Sequence, residues 1–281
     1  PFALSTIGLV NGIIAIILFG CTSCFTLYLL IECAKIVGGR NVSFFSISSR
    51  TYPKLSIVFD LAVGIKCFGV SISYLVIIGE LLPKVTLGLF PSIPKDSVCL
   101  TSLFWITVSM LIVVPLSFQK SLSSLKYAST ISLISVSYIA ILVAYFFFSG
   151  NRPIKNIDND IDTNFFRVLP IFVFAYTCHQ NILTFFNEMK ITSRRRDNRH
   201  KKAIGSAAIS IAIAITVYLT IGITGYLTFG NTTKSNIISM YPPSNKLVLI
   251  GQLLMAIMVS ICFALQCHPA RKSFGNVINY L

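Results

Sequence analysis

Seven stretches of this chain are apolar over about the twenty residues that a helix needs to cross a bilayer, and no other feature constrains its fold as tightly. They are residues 9–31, 55–82, 98–118, 127–148, 168–186, 203–229 and 247–267. Hydrocarbon offers no water to bond the backbone, so such segments must satisfy their own N–H and C=O groups as helices. Of the 281 residues, 54% are hydrophobic and 11% charged, against roughly 25% charged in a soluble domain. The chain therefore reads as an all-α, multi-pass membrane protein rather than a soluble enzyme. Residues 1–8 look like the tail of an eighth helix, and the first residue is Pro1. These features read the chain as an internal fragment of a longer protein, with no secretory signal at its start.

The formal net charge of +14 would suggest nucleic acid in a soluble chain. Here the basic residues fall in particular loops. One set of alternate loops carries Lys35, Arg40, Arg50 and Lys54, then Lys120 and Lys126, then the cluster from Lys190 to Lys202, then Arg271 and Lys272, fifteen in all. The other set carries seven: Lys84, Lys95, Arg152, Lys155, Arg167, Lys234 and Lys246. The positive-inside rule places the fifteen in the cytosol, and seven spans keep the alternation intact. The run RRRDNRHKK at residues 194–202 is then a topology signal with a secondary reading as an anionic-lipid contact. Nucleic acid is not an expected partner; the bilayer is.

Residues 174–188 read FAYTCHQNILTFFNE and place Thr177, Cys178, His179, Gln180 and Asn181 in a row at membrane depth. Polar side chains there persist only where protein or a water-lined cavity satisfies them. The run points to a broken helix around a binding site, the device of secondary transporters. Charges inside spans are few: Asp60 and Lys66, with Glu80 near the end of the same segment. Six helical residues turn about 600°, so Asp60 and Lys66 sit roughly 120° apart, and Lys66 and Glu80 stand about 21 Å apart along the axis. Lys66 is expected to meet a group on another helix, as a coupling-ion or substrate contact or as half of a structural ion pair. Asp60 has the same two readings, with snorkelling towards the interface as a third. His179 titrates near neutrality and is a candidate proton carrier, against a plain packing role. A second polar run, residues 260–269, ends in His268-Pro269 and reads as a helix terminus or a gate.

Other signals carry less. Cys21-x-x-Cys24 has redox spacing but lies mid-helix without neighbouring charge. Cys99 is the one loop cysteine, so no disulfide is expected. Asp158, Asp160 and Asp162 imitate the start of a calcium loop, but the sixth position is Thr163 and the twelfth Leu169, where Gly and Glu are needed. Asn231-Thr232-Thr233 is a glycosylation sequon that abuts a helix end. Small residues such as Gly64, Gly69, Ser71 and Ser73 suggest close helix packing. His179, His200 and His268 have no metal-ligand spacing, and no hydrolase, phosphate-loop or dinucleotide motif is present. Neither an enzyme nor a cofactor is expected.

Four stretches, in order and spacing, resemble the amino acid/auxin permease family. They are residues 65–74 (IKCFGVSISY), 172–188 with its CHQN, 224–230 (TGYLTFG) and 265–271 (LQCHPAR). The branches it is most similar to are the fungal vacuolar amino-acid transporters and the animal sodium-coupled neutral amino-acid transporters. The resemblance implies a LeuT-like fold of two inverted five-helix repeats plus one helix, of which this chain holds the end of helix 1 and helices 2–8. It implies substrate contacts from Thr177, Cys178, His179 and Gln180 of a broken helix 6, and from Ser71 and Tyr74 of helix 3. It also implies a contribution from Lys66 of helix 3, and from Ser260 of helix 8, where a small hydroxyl helps hold the coupling cation. With Asp60, taken from the reading of charges inside spans, Lys66 and Ser260 are the coupling-ion or charge-pair candidates. Relatives often carry Pro where this chain has Ala264. The expected activity is amino-acid transport across a vacuolar or lysosome-like membrane, coupled to protons ahead of sodium, with export to the cytosol. The rival readings are an amino-acid sensor that keeps the fold and transports little, and a partial gene product without function.

Overall fold

A computed structural model of the chain describes residues 1–39, 41–94, 96–118, 126–150, 165–189, 198–242 and 245–280. The Asp158–Asp162 run, most of the cluster at residues 190–197, and Arg40, Lys95, Lys120, Arg152 and Lys155 lie outside them. Among the described residues the regular structure is helical: α1 (Phe2–Ile7), α2 (Leu9–Val37), α3 (Phe44–Thr51), α4 (Ser56–Leu89), α5 (Ser102–Ser117), α6 (Lys126–Ser149), α7 (Phe165–Ala175), α8 (His179–Glu188), α9 (Arg199–Phe229) and α10 (Lys246–Tyr280), with short 3-10 turns between some of them. Among the described residues, six segments are long and apolar enough to cross a membrane: Leu9–Val37, Pro53–Leu89, Ser129–Ser149, Phe165–Glu188, Arg199–Thr232 and Lys246–Asn279.

Many hydroxyl-bearing residues of these apolar helices bond in the same way. Ser71, Ser109, Ser135, Thr216, Thr224 and Ser260 each donate to the carbonyl four residues earlier, at 2.6–3.0 Å. A hydroxyl with no water to bond finds that carbonyl within reach, so Ser and Thr sit in a hydrocarbon-facing helix at little cost. Glycine sets two of the boundaries. Gly8 (φ 85°) separates α1 from α2, and Gly38 (φ 70°) follows the last residue of α2; both are left-handed conformations that a Cβ disfavours.

Several boundaries differ from the sequence reading, and two of the differences have a clear physical cause. The segment expected from residue 98 becomes a 3-10 turn at Val98–Leu100 and then α5, which has 16 residues. Thr101 caps it, its hydroxyl accepting from the Phe104 N–H, so the helix starts later than apolarity suggests. The helix terminus expected at His268-Pro269 is not there: α10 runs through Pro269 to Tyr280. A proline ring removes one intrahelical bond and bends a helix without having to end it, and the residues beyond it are held by side-chain contacts to α4.

The contacts divide the chain into two compact units. The first comprises residues 1–32, 137–179 and 191–242. In it the Phe19 and Phe172 rings stack, with centroids 6.1 Å apart, and Tyr241 packs between Phe146 and Phe229. The second comprises residues 33–136, 180–190 and 243–281, and its frame is the pairing of α4 with α10. Gly64 makes that pairing close: a Cβ built there would lie 3.0–3.2 Å from three atoms of the Phe274 ring. The amphipathic helix α3 starts on a capping box, in which Ser43 Oγ accepts from the Ser46 N–H (3.1 Å) and Ser46 Oγ accepts from the Ser43 N–H (2.8 Å).

Replacing Gly64 by Val should force Phe274 away and loosen α4 from α10, at a cost of about 1–3 kcal/mol. Thermal unfolding of the purified full-length protein in detergent checks this; an unchanged midpoint would show that the contact has slack.

Candidate functional site

Residues 176–178 are where the fifth apolar stretch loses its helix. Three residues, Tyr176 to Cys178, separate α7 from α8. A helix that stops inside hydrocarbon leaves its last carbonyls without partners, and each has been found one within the first unit. Thr177 Oγ1 donates to Val173 O (2.8 Å) and Thr177 N to Phe174 O (3.2 Å). Tyr218 of α9 donates to Ala175 O (2.8 Å), and Ser23 of α2 donates to Tyr176 O (3.2 Å). Cys178 N closes a tight turn onto Tyr176 O (2.9 Å). Tyr176, 4% exposed, is pinned in turn by its own hydroxyl, which donates to Ile16 O of α2 at 2.9 Å. Its ring meets Tyr218 edge-on, with centroids 5.3 Å apart. The break is therefore a built feature with its partners on α2 and α9.

His179 is the first residue of α8, and its Nε2 lies 2.7 Å from Thr26 Oγ1. The Thr26 hydroxyl also stands 3.0 Å from both Thr22 O and Ser23 O. A hydroxyl has one proton; given to those carbonyls, it leaves the oxygen as an acceptor for the imidazole Nε2–H. The neutral ring then carries its lone pair on Nδ1. Thr177 is partly exposed and Cys178 exposed, so both side chains are accessible at the break.

The division between the units falls between His179 and Gln180. In the second unit Gln180, 7% exposed, joins three helices. Lys66 Nζ of α4 donates to Gln180 Oε1 at 3.0 Å, and Gln180 Nε2 donates to Gln266 Oε1 of α10 at 3.1 Å. Asp60, 2% exposed, lies further along α4 and accepts from Asn276 Nδ2 of α10 at 2.7 Å. Asn187, near the end of α8, makes a reciprocal pair with the backbone of Val42: it accepts the Val42 N–H (3.1 Å) and donates to the Val42 carbonyl (2.7 Å). A cavity of about 20 Å³, room for one water, lies among Asp60, Gln180, Thr184, Lys272 and Asn276.

The residues singled out from sequence thus fall into separate settings. Thr177, Cys178 and His179 belong to the break in the first unit. Gln180, Lys66 and Asp60 belong to the polar contacts among α4, α8 and α10. Glu80 bonds Lys84 one turn on, at 2.9 Å, instead of Lys66. Ser71 is buried and Ser260 partly so, and each hydroxyl closes on its own helix, onto Cys67 O and Ala256 O. Tyr74 is half-buried on α4. Sequence reasoning missed Gln266, Asn276, Asn187, Tyr218, Ser23 and Thr26 as partners. Gln266 lay in a polar run already noted, and Asn276 lay beyond the expected end of its helix. Ser23, Thr26 and Tyr218 carry no one-dimensional signal, because they act on backbone atoms or rings far away in the chain. Asn181, in the first turn of α8, has a buried side-chain oxygen with no hydrogen-bond partner among the described residues.

A family model described as transmembrane amino acid transporter protein matches residues 1–281. Vacuolar amino acid transporter 6 of Saccharomyces cerevisiae is 36% identical over 290 residues, covering 100% of this chain and 62% of the relative. Vacuolar amino acid transporter 5 of Schizosaccharomyces pombe is 36% identical over 281 residues, covering 99% and 65%. Sodium-coupled neutral amino acid transporter 7 of Danio rerio is 30% identical over 220 residues, covering 73% of this chain and 44% of the relative. The chain thus spans less than two thirds of the length of these relatives.

Two substitutions probe the polar framework in the full-length protein. Tyr218→Phe removes the donor to Ala175 O and should cost about 0.5–1.5 kcal/mol. Lys66→Met removes the ammonium donor to the Gln180 amide oxygen and should cost about 1–3 kcal/mol. Both read out as a lower unfolding midpoint in detergent, and a midpoint unchanged in either would remove that bond from the account.

Proposed function

This chain belongs to the transmembrane amino acid transporter protein family, and on that premise we propose that its protein moves amino acids across a vacuole-type membrane, driven by protons, with export to the cytosol. The observation that carries this reading is the break between α7 and α8. The vacuolar names of its similar relatives support the compartment. The fold we propose is LeuT-like, with α7 and α8 as the halves of helix 6 and with the chain running from the end of helix 1 to helix 8.

At the break the chemistry suits a zwitterion. The first-turn N–H groups of a helix lack intrahelical acceptors and carry the positive end of its dipole, so the start of α8 suits the substrate carboxylate. The carbonyls at the end of α7 are largely occupied by Thr177, Tyr218 and Ser23. This places the α-amino contact on remaining lone pairs and on side chains at the break instead of on bare carbonyls. Thr177, Cys178 and His179 are the side chains we assign to that position, and Gln180, the second residue of α8, is bonded to Lys66 and Gln266. His179, oriented by Thr26, is the titratable group nearest to the substrate in this picture.

The test is amino-acid-dependent pH change in sealed vesicles holding the full-length protein, with and without sodium. Proton movement that requires amino acid and persists without sodium is the expected result. His179→Ala should lower or abolish it. Saturable amino-acid binding without flux would replace the transporter by a sensor, and flux that requires sodium would replace the coupling ion.

A further inference from the structure

The second unit holds a buried carboxylate that the break does not use. Asp60 sits just over one turn into α4, 2% exposed, and it opens onto the cavity of about 20 Å³. Three other elements supply the walls: Ser43 at the cap of α3, Gln180 and Thr184 from α8, Lys272 and Asn276 from α10. Of the residues that line the cavity, Asp60 and Lys272 are the two that titrate. The rest are neutral or apolar.

We propose that Asp60 carries the transported proton on the side of the basic loops. This rests on the proton-coupled reading above and assigns it a residue. Asn276 Nδ2 holds Oδ2 at 2.7 Å, so the proton joins Oδ1. A carboxylate in this setting balances the Lys272 ammonium across the cavity. Protonation forms one O–H bond and removes one negative charge; release returns the proton to water and restores the balance. The cavity has room for a single water beside the carboxyl, which in this proposal hands the proton on and takes it back. The coupling to transport runs through Gln180. That side chain lines the cavity, lies in the first turn of α8, and is tied to Lys66 and Gln266. Any shift of α8 moves one wall of the cavity and alters the surroundings that set proton affinity at Asp60. In reverse, the protonation state of Asp60 biases where α8 rests.

A purely structural role is the competing account, since the Asp60–Asn276 bond joins α4 to α10. Two variants separate the accounts. Asp60→Asn keeps an acceptor for Asn276 but cannot take up a proton. Asn276→Ala breaks the tie and keeps the carboxyl. In vesicles of the full-length protein, Asp60→Asn should lose amino-acid-driven proton movement while still exchanging labelled amino acid at a measurable rate. Asn276→Ala should still move protons, with a displaced pH dependence, because the carboxyl remains but loses its donor to Oδ2. Proton movement retained in Asp60→Asn overturns the inference and leaves the transporter reading intact. Native protein that transports amino acid without protons overturns both. If Asp60→Asn loses exchange as well, Asp60→Glu decides: proton movement recovered with a displaced pH dependence supports the proton site, and its loss together with that of Asn276→Ala shows a structural tie.

Discussion

Everything in this structure follows from the cost of an unbonded backbone group in hydrocarbon. The long helices meet that cost with their own bonds, and their serines and threonines meet it by bonding back one turn. The interruption at residues 176–178 meets it with help from elsewhere. Tyr218 and Ser23 come from α9 and α2 to cap carbonyls that α7 cannot cap itself. The carbonyls at the C-terminal end of α7 are in this way largely closed by protein, whereas the first-turn N–H groups of α8 have no intrahelical acceptors.

The polar residues of the second unit serve another purpose. Lys66, Gln180 and Gln266 form a short relay across α4, α8 and α10. Asn187 clamps the far end of α8 to the backbone of Val42, just before the cap of α3. Gripped near both its ends, α8 moves with its neighbours or not at all. Buried networks of this sort favour one discrete arrangement over a continuum of loose ones. Close packing at Gly64 and Phe274 adds to the rigidity of the α4–α10 pair.

Several elements were legible in one dimension. Apolar length located the helices, and the polar row TCHQN located the break to within a residue or two. The ends were less legible. The start of α5 is set by the Thr101 cap, a local signal that a hydropathy reading passes over. The end of α10 was misread because Pro269 looks like punctuation, while the contacts that carry the helix past it, Phe274 against Gly64 and Asn276 on Asp60, lie more than two hundred residues apart in the chain.

The sequence by itself determined the membrane setting, the helical class, the family resemblance and the identity of the polar residues in the spans. These depend on local composition and spacing, which a chain displays whether folded or not. The tertiary structure decided which polar residue answers which. Helical geometry could exclude Glu80 as the partner of Lys66 but could not name Gln180, and no pattern in the chain paired Tyr218 with Ala175 or Asp60 with Asn276. Such pairs form because each buried donor must find an acceptor somewhere, and where that acceptor lies is a property of packed helices, not of neighbours in sequence.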